Sequence, residues 1–223
     1  MTDQTATPFP TTSDQPQSRF SDRGVSRAER ALLLAAVLII SICALTYELI
    51  VATLSSYLLG NSVAQFSFTI GFFLFAMGLG AWLSRRIKTN EVRWFIVVEI
   101  VIGVFGGTSA LALFAVFSLS GAHYTAMMIF FSLAIGICVG LEIPLLTRIV
   151  ADKANLSDAL ADILSVDYIG ALIASLAFPV VLLPALGVTL TAFLMGVFNL
   201  AVAATLLYWF GYRLGRRWRR ILW

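Results

Sequence analysis

The sequence predicts an all-α membrane protein, a polytopic helix bundle of about six transmembrane helices with both termini cytoplasmic. Three observations predict it. Of 223 residues, 60% are hydrophobic and only 12% charged, whereas a soluble domain carries about a quarter charged residues. Mean hydropathy is +0.93. The apolar residues fall in long runs with no short alternating segments between turns, which selects helices over barrel strands. All 15 Lys and Arg residues fall before, after or between alternate runs, which sets the orientation.

Residues 1–30, rich in Thr, Ser, Gln, Asp and Pro, read as a disordered cytoplasmic tail. Its basic end followed by "ALLLAAVLIISICAL" imitates a signal peptide, but the apolar run exceeds such a region and no small-residue cleavage site follows, so a retained first helix is expected. Residues 31–210 form the transmembrane domain. Its spans lie near Ala31 to Tyr57, Val63 to Leu83, Trp94 to Leu119, Tyr124 to Leu146, Val166 to Leu183 and Val188 to Trp209. Each is long enough to cross about 30 Å of hydrocarbon at about 1.5 Å per residue. Residues 211–223 form a basic cytoplasmic tail suited to an anionic lipid surface.

Arg19, Arg23, Arg27 and Arg30 precede the first span, while Arg85, Arg86, Lys88 and Arg93 separate the second and third. Arg148 and Lys153 follow the fourth, and the remaining arginines follow the last. The linkers "LLGNS", "SLSGAH" and "LPALG" have none. Trp82, Trp94 and Trp209 mark the same boundary. The net charge of +3 therefore reports topology, and the lipid bilayer of the inner (plasma) membrane is the expected partner, with no nucleic acid. "NLSDALADILS", Asn155 to Ser165, has apolar residues at helical spacing and reads as a short interfacial helix.

Four acids interrupt this apolar sequence: Glu48, Glu99, Glu142 and Asp167. Each costs about 2.5 to 3.5 kcal/mol at a helix centre, and no Lys or Arg lies within the spans to neutralise them, so they must face protein or water. Register agrees. Glu99 shares a helical face with Gly103, Gly106 and Gly107, Asp167 with Gly170, Ala171, Ala174 and Ser175, and Glu48 with Ser41, Ala44, Ala52 and Ser55. Small residues mark packing faces in membranes. By depth, Glu99, Glu142 and Asp167 suggest a vestibule on the cytoplasmic side and Glu48 a deeper acid, a layout suited to a cation, a polyamine or a proton, while carboxyls that only join helices remain the alternative.

"GICVG", Gly136 to Gly140, is a further packing face. Pro144 breaks the backbone bonding of the fourth helix beside Glu142, as a binding site or as a helix end. Cys43 and Cys138 lack metal-like spacing and read as small core residues, and His123 reads as a solvated loop residue. No catalytic, cofactor or metal residue is expected.

"ICALTYELIVATLSSYLLGNSVAQFSFTIGFFLFAMGLGAWLS", "FIVVEIVIGVFGGTSA", "GLEIPLLTRI" and "SVDYIGALIASLAFPVVLLPALG" resemble, in order and spacing, the multi-spanning N-terminal membrane region of membrane-associated spermidine synthase-like proteins, the polyamine aminopropyltransferases. The resemblance covers Ser41 to Asn199. It implies a link to a cytoplasmic Rossmann-like domain that transfers an aminopropyl group from decarboxylated S-adenosylmethionine to putrescine. No Gly-rich nucleoside loop follows a predicted strand here, and the pair Gly106 and Gly107 lies within a helix. The chain alone is therefore expected to be non-catalytic, with a cytoplasmic aminopropyltransferase as candidate partner. "GLGAWLSRRIK" resembles the basic loop of the major facilitator superfamily, with Ser84 in place of its acid, and six spans would be half of such a transporter.

Three readings follow. The chain handles, senses or anchors polyamines for that family; or it is a small cation or proton transporter or channel subunit, paired or homo-oligomeric; or it is a structural anchor.

Overall fold

The computed structural model describes residues 27–150 and 156–218. The tail expected over residues 1–30 falls almost wholly outside them, as does the end of the basic tail. Among the described residues there are six α-helices and no strands: α1 (Arg27–Leu59), α2 (Ser62–Leu83), α3 (Glu91–Leu119), α4 (Tyr124–Val150), α5 (Leu156–Ala177) and α6 (Leu183–Trp218). Several are long and apolar enough to cross a membrane.

Helix ends follow local chemistry. Gly60 and Asn61 both take positive φ (73° and 50°), and the Asn61 side chain accepts from the Ala64 N–H, so the chain reverses within two residues between α1 and α2. Asn90, at φ 58°, precedes α3 with the same left-handed backbone but without a side-chain cap. Between α3 and α4, Ser120 leaves the helix in extended conformation and its hydroxyl lies 2.8 Å from His123 Nδ1.

The stretch Leu156–Phe210 runs for 55 residues with helix at both ends, about 80 Å if straight. It is not straight. A π-helical turn at Phe178–Leu182 carries Pro179, and Gly187 (φ 70°, ψ 174°) breaks the helical path. Consequently α5 and α6 both lie along the first half of α1: Gly170 sits against Leu38 and Ser41, while Val202 and Leu206 line a groove with Leu32 and Ala36.

Neighbour pairs give the directions. α1 runs parallel to α5, with Arg30 beside Asp162 and Ser41 beside Gly170. Gly136 lies against Phe73 and Gly140 against Met77, so α2 and α4 are also parallel. α3 and α6 are antiparallel, with Gly103 against Leu200 and Gly107 against Ala192. The turns after α1, α3 and α5 thus share one end of the bundle and hold no Lys or Arg. Arg30, Arg85, Arg86, Lys88, Arg93 and Arg148 share the other, the basic end.

α1 is the central helix and touches all five others. Tyr47, Ile50, Val51 and Leu54 are wholly inaccessible on it. One core cluster surrounds Cys43 to Leu54, and a second, nearer the basic end, gathers Leu33, Val37, Phe95, Leu145, Ile163 and Leu206.

Two sequence expectations change. The segment from Leu156 to Ser165 is not a separate interfacial helix but the first half of α5, because no helix breaker separates it from Val166 and because Ala159 and Ile163 are buried in the second cluster. Pro144 does not end α4, which continues to Val150. Pro144 removes one N–H from the ladder and leaves the Gly140 carbonyl without that donor, while the packed neighbours hold the helix on course.

Candidate functional site

The centre of the bundle, between the two core clusters, holds polar groups from α1, α3 and α4. Glu99 of α3 is 0% exposed, and both its carboxyl oxygens are without a hydrogen-bond partner. Glu142 of α4 is 5% exposed and its Oε1 is likewise unpartnered. The two carboxyl groups are neighbours within side-chain interaction range of each other, and Asp167, Cys138 and Cys43 lie within electrostatic reach of Glu142. Tyr47, a turn along α1 from Cys43, brings a fourth buried and unpartnered oxygen, its hydroxyl, within electrostatic range of both acids.

Glycines make this approach possible. A Cβ on Gly106 would lie 2.5 Å from the Tyr47 ring, so α3 admits that ring only with glycine there. Gly103 and Gly107 pack on α6: a Cβ on Gly103 would meet the Gly196 carbonyl oxygen at 3.1 Å. Gly136 and Gly140 let α4 meet α2 backbone to backbone, and Gly170 with fully buried Ala174 lets α5 meet α1.

Asp167 sits on that α1–α5 seam. The Ser41 hydroxyl approaches both its side chain and, at 2.9 Å, its backbone carbonyl oxygen. One hydroxyl proton serves only one of these at a time. Toward the basic end the same seam carries the Arg30–Asp162 ion pair. Glu48 is seven residues on from Ser41, 9% exposed, and has no hydrogen-bond partner among the described residues. It is therefore apart from the Glu99–Glu142 pair, not a member of it.

Both side chains of the pair are buried. Two surface concavities, one of about 470 Å³ lined by Phe68, Gly71, Phe75 and Leu133 and one of about 160 Å³ between α1 and α6, contain none of the four acids. Among the described residues no three His, Cys, Asp or Glu side chains are grouped to hold a metal ion.

Comparison with known proteins gives one consistent result. A polyamine aminopropyltransferase 2 of Ralstonia nicotianae is 45% identical over 187 residues, covering 83% of this chain and 37% of that protein. The chain is similar to polyamine aminopropyltransferases. A second such protein, from Leptospira interrogans, is 42% identical over 171 residues (77% of this chain, 34% of that one). Polyamine aminopropyltransferase 1 of Streptomyces coelicolor is 43% identical over 192 residues (84% and 35%). This chain thus spans about a third of the length of the aminopropyltransferases it matches. No family model matches it, and no solved structure does.

Sequence reasoning singled out the acids but missed Tyr47 and Asn199. Asn199 is fully buried on α6 with neither side-chain polar atom partnered. The antiparallel α3–α6 register places it within about a turn of Glu99. Its signal is an amide in an otherwise apolar run, "GVFNLAV". For Tyr47 the signal is the four-residue spacing from Cys43, a different face of α1 from the one bearing Ser41 and Glu48.

Proposed function

We propose that this chain is a six-pass membrane module of the polyamine aminopropyltransferase type, inserted with its basic end in the cytoplasm and non-catalytic by itself. It binds a polyamine through its buried acids for a cytoplasmic transferase. Sequence similarity to proteins named polyamine aminopropyltransferases supports the substrate class, and the positive-inside tendency supports the orientation.

The observation that carries the binding role is the meeting of Glu99 and Glu142, beside Asp167, with no Lys or Arg of the described residues paired to them. Carboxyl groups held together away from water require a positive counterpart or protons. A flexible diamine provides two positive charges on an apolar stem, one to face the Glu99–Glu142 pair and one to face Asp167. Entry follows the α1–α5 seam. Residues of α5 such as Ile169, Leu172 and Leu176 are more than half exposed, so this helix has a free outer side. Along the seam Asp162, Asp167 and Glu48 mark successive levels from the basic end inward.

Calorimetric titration of putrescine and of spermidine into the purified chain in nanodiscs tests this reading. Saturable binding is expected, weakened at least about tenfold, or about 1.4 kcal/mol, in Glu99→Gln, Glu142→Gln and Asp167→Asn. Absence of saturable binding to the folded wild-type chain would overturn it and leave a structural anchor.

A further inference from the structure

The geometry points to a binding site for an anionic phospholipid headgroup on the turn between α2 and α3, formed by Arg85, Arg86 and Lys88 beside the Trp82 ring.

The segment "WLSRRIKTNEVRW", Trp82 to Trp94, has no part in the polyamine reading. Its cations are Arg85, Arg86, Lys88 and Arg93, and its one acid is Glu91. Arg85, Arg86 and Lys88 are exposed, and among the described residues no carboxylate pairs with them. Like charges this close in the chain repel one another, so an anion placed among them is attracted by each and also relieves their repulsion.

The turn is built as well as basic. Arg148 of α4 directs its guanidinium at the Ser84 carbonyl (3.0 Å), the Ile87 carbonyl (2.6 Å) and the Ser84 hydroxyl (3.1 Å). The Ile87 N–H closes the turn on the Ser84 carbonyl at 3.0 Å. The backbone that carries Arg85 and Arg86 is thereby fixed before a ligand arrives, which lowers the ordering cost of binding.

Depth decides the source of the anion. Trp82 and Trp94 bracket the turn, and each is about half exposed (49% and 48%). Indole rings of this kind settle at the headgroup level of a bilayer. The Arg86 guanidinium carbon lies 5.0 Å from the centre of the Trp82 ring, a cation–π contact that holds the charge at the level of the indole. A planar guanidinium there takes two phosphate oxygens at once. Arg85 and Lys88 add positive charge that suits a headgroup of net negative charge and not a zwitterionic one, which brings its own cation. The site requires the basic end of the bundle to lie at a membrane surface, and it is independent of polyamine binding.

Native mass spectrometry of the full chain released from nanodiscs of mixed phosphatidylglycerol and phosphatidylcholine reads the lipid that stays bound. Preferential retention of phosphatidylglycerol is expected. The triple variant Arg85→Gln/Arg86→Gln/Lys88→Gln should lower that retention by at least about fivefold, and Trp82→Leu should lower it with no change of charge. Arg216→Gln/Arg217→Gln/Arg219→Gln removes the same charge from the basic tail and should leave it in place. Equal loss in the two triple variants would mean diffuse surface attraction and would overturn the proposal. Displacement by millimolar inorganic phosphate would do so too, by showing a site for a soluble anion. No preference for phosphatidylglycerol in the wild-type chain would also overturn it, leaving the turn to an acidic protein surface. A second measurement needs no variant, because Lys88 and Lys153 are the only lysines of the chain. Acetylation of Lys88 by a water-soluble amine reagent should slow relative to that of Lys153 when phosphatidylglycerol replaces phosphatidylcholine, and an unchanged ratio overturns the proposal even where a variant fails to insert.

Discussion

Replacing Gly80 with alanine should separate α2 from α4, and the size of the effect can be worked from the contact. A Cβ at Gly80 would lie 2.1 Å from the Ile137 carbonyl oxygen and 2.9 Å from its carbon. Ordinary contact begins at 3.4 Å, so the two backbones must part by roughly 1.3 Å, and nothing flexible lies between them to yield instead. A gap of that order forfeits up to about half of the dispersion attraction along the contact. Overpacking of this kind costs about 1 to 3 kcal/mol and sometimes more. Alanine returns up to about 1 kcal/mol of helix propensity. A net loss of about 1 to 2 kcal/mol follows. Gly78 on the same helix is the control, since its Cβ would meet nothing within 4 Å and it keeps the propensity gain. Reversible unfolding in mixed detergent micelles, titrated with a denaturing detergent, measures both variants. If Gly80→Ala is as harmless as Gly78→Ala, the backbone-to-backbone account of the α2–α4 contact is refuted.

Arg148→Ala removes hydrogen bonds to the Ser84 carbonyl (3.0 Å), the Ile87 carbonyl (2.6 Å) and the Ser84 hydroxyl. It should cost about 2 kcal/mol, with lysine recovering only part because it lacks the planar fork; the same unfolding titration reads it. Gly187→Ala places a side chain at φ 70°, ψ 174°, a region essentially reserved for glycine, and should cost about 1 to 3 kcal/mol. Thermal unfolding that leaves this variant unchanged would remove the special role of the break. Arg30→Ala should change stability by less than about 1 kcal/mol, because both partners of its ion pair are nearly half exposed. A larger loss, or one insensitive to salt, would mean that the pair is shielded by its surroundings.

Much of the helical layout was legible because apolar length is a one-dimensional signal. The runs beginning at Val63 and at Tyr124 match the starts of α2 and α4 to within a residue. Polar helical turns were harder to read. α3 begins at Glu91 rather than Trp94, and α5 at Leu156 rather than Val166, because charged residues at a boundary continue a helix without belonging to an apolar run. The acids were conspicuous for the same reason, as charges among apolar neighbours. Their grouping was not. Residue depth suggested that Glu99, Glu142 and Asp167 share a region, but which carboxyls touch depends on helix rotation. A rotation about α1 of a single residue decides whether Tyr47 or Glu48 points to the centre, and Tyr47 does.

The position of α1 bears on biogenesis. It emerges from the ribosome before every helix it later touches, so the scaffold is in place before its clients. Glu99, Glu142 and Asp167 each arrive on a later segment and can be received by a helix already waiting. Ser41 has the opposite history, because it is synthesised 126 residues before Asp167, its partner on α5. Until then that hydroxyl is without its final surroundings. The interval between the first and fifth helices is therefore the time when an insertion chaperone or the translocon has most to shield.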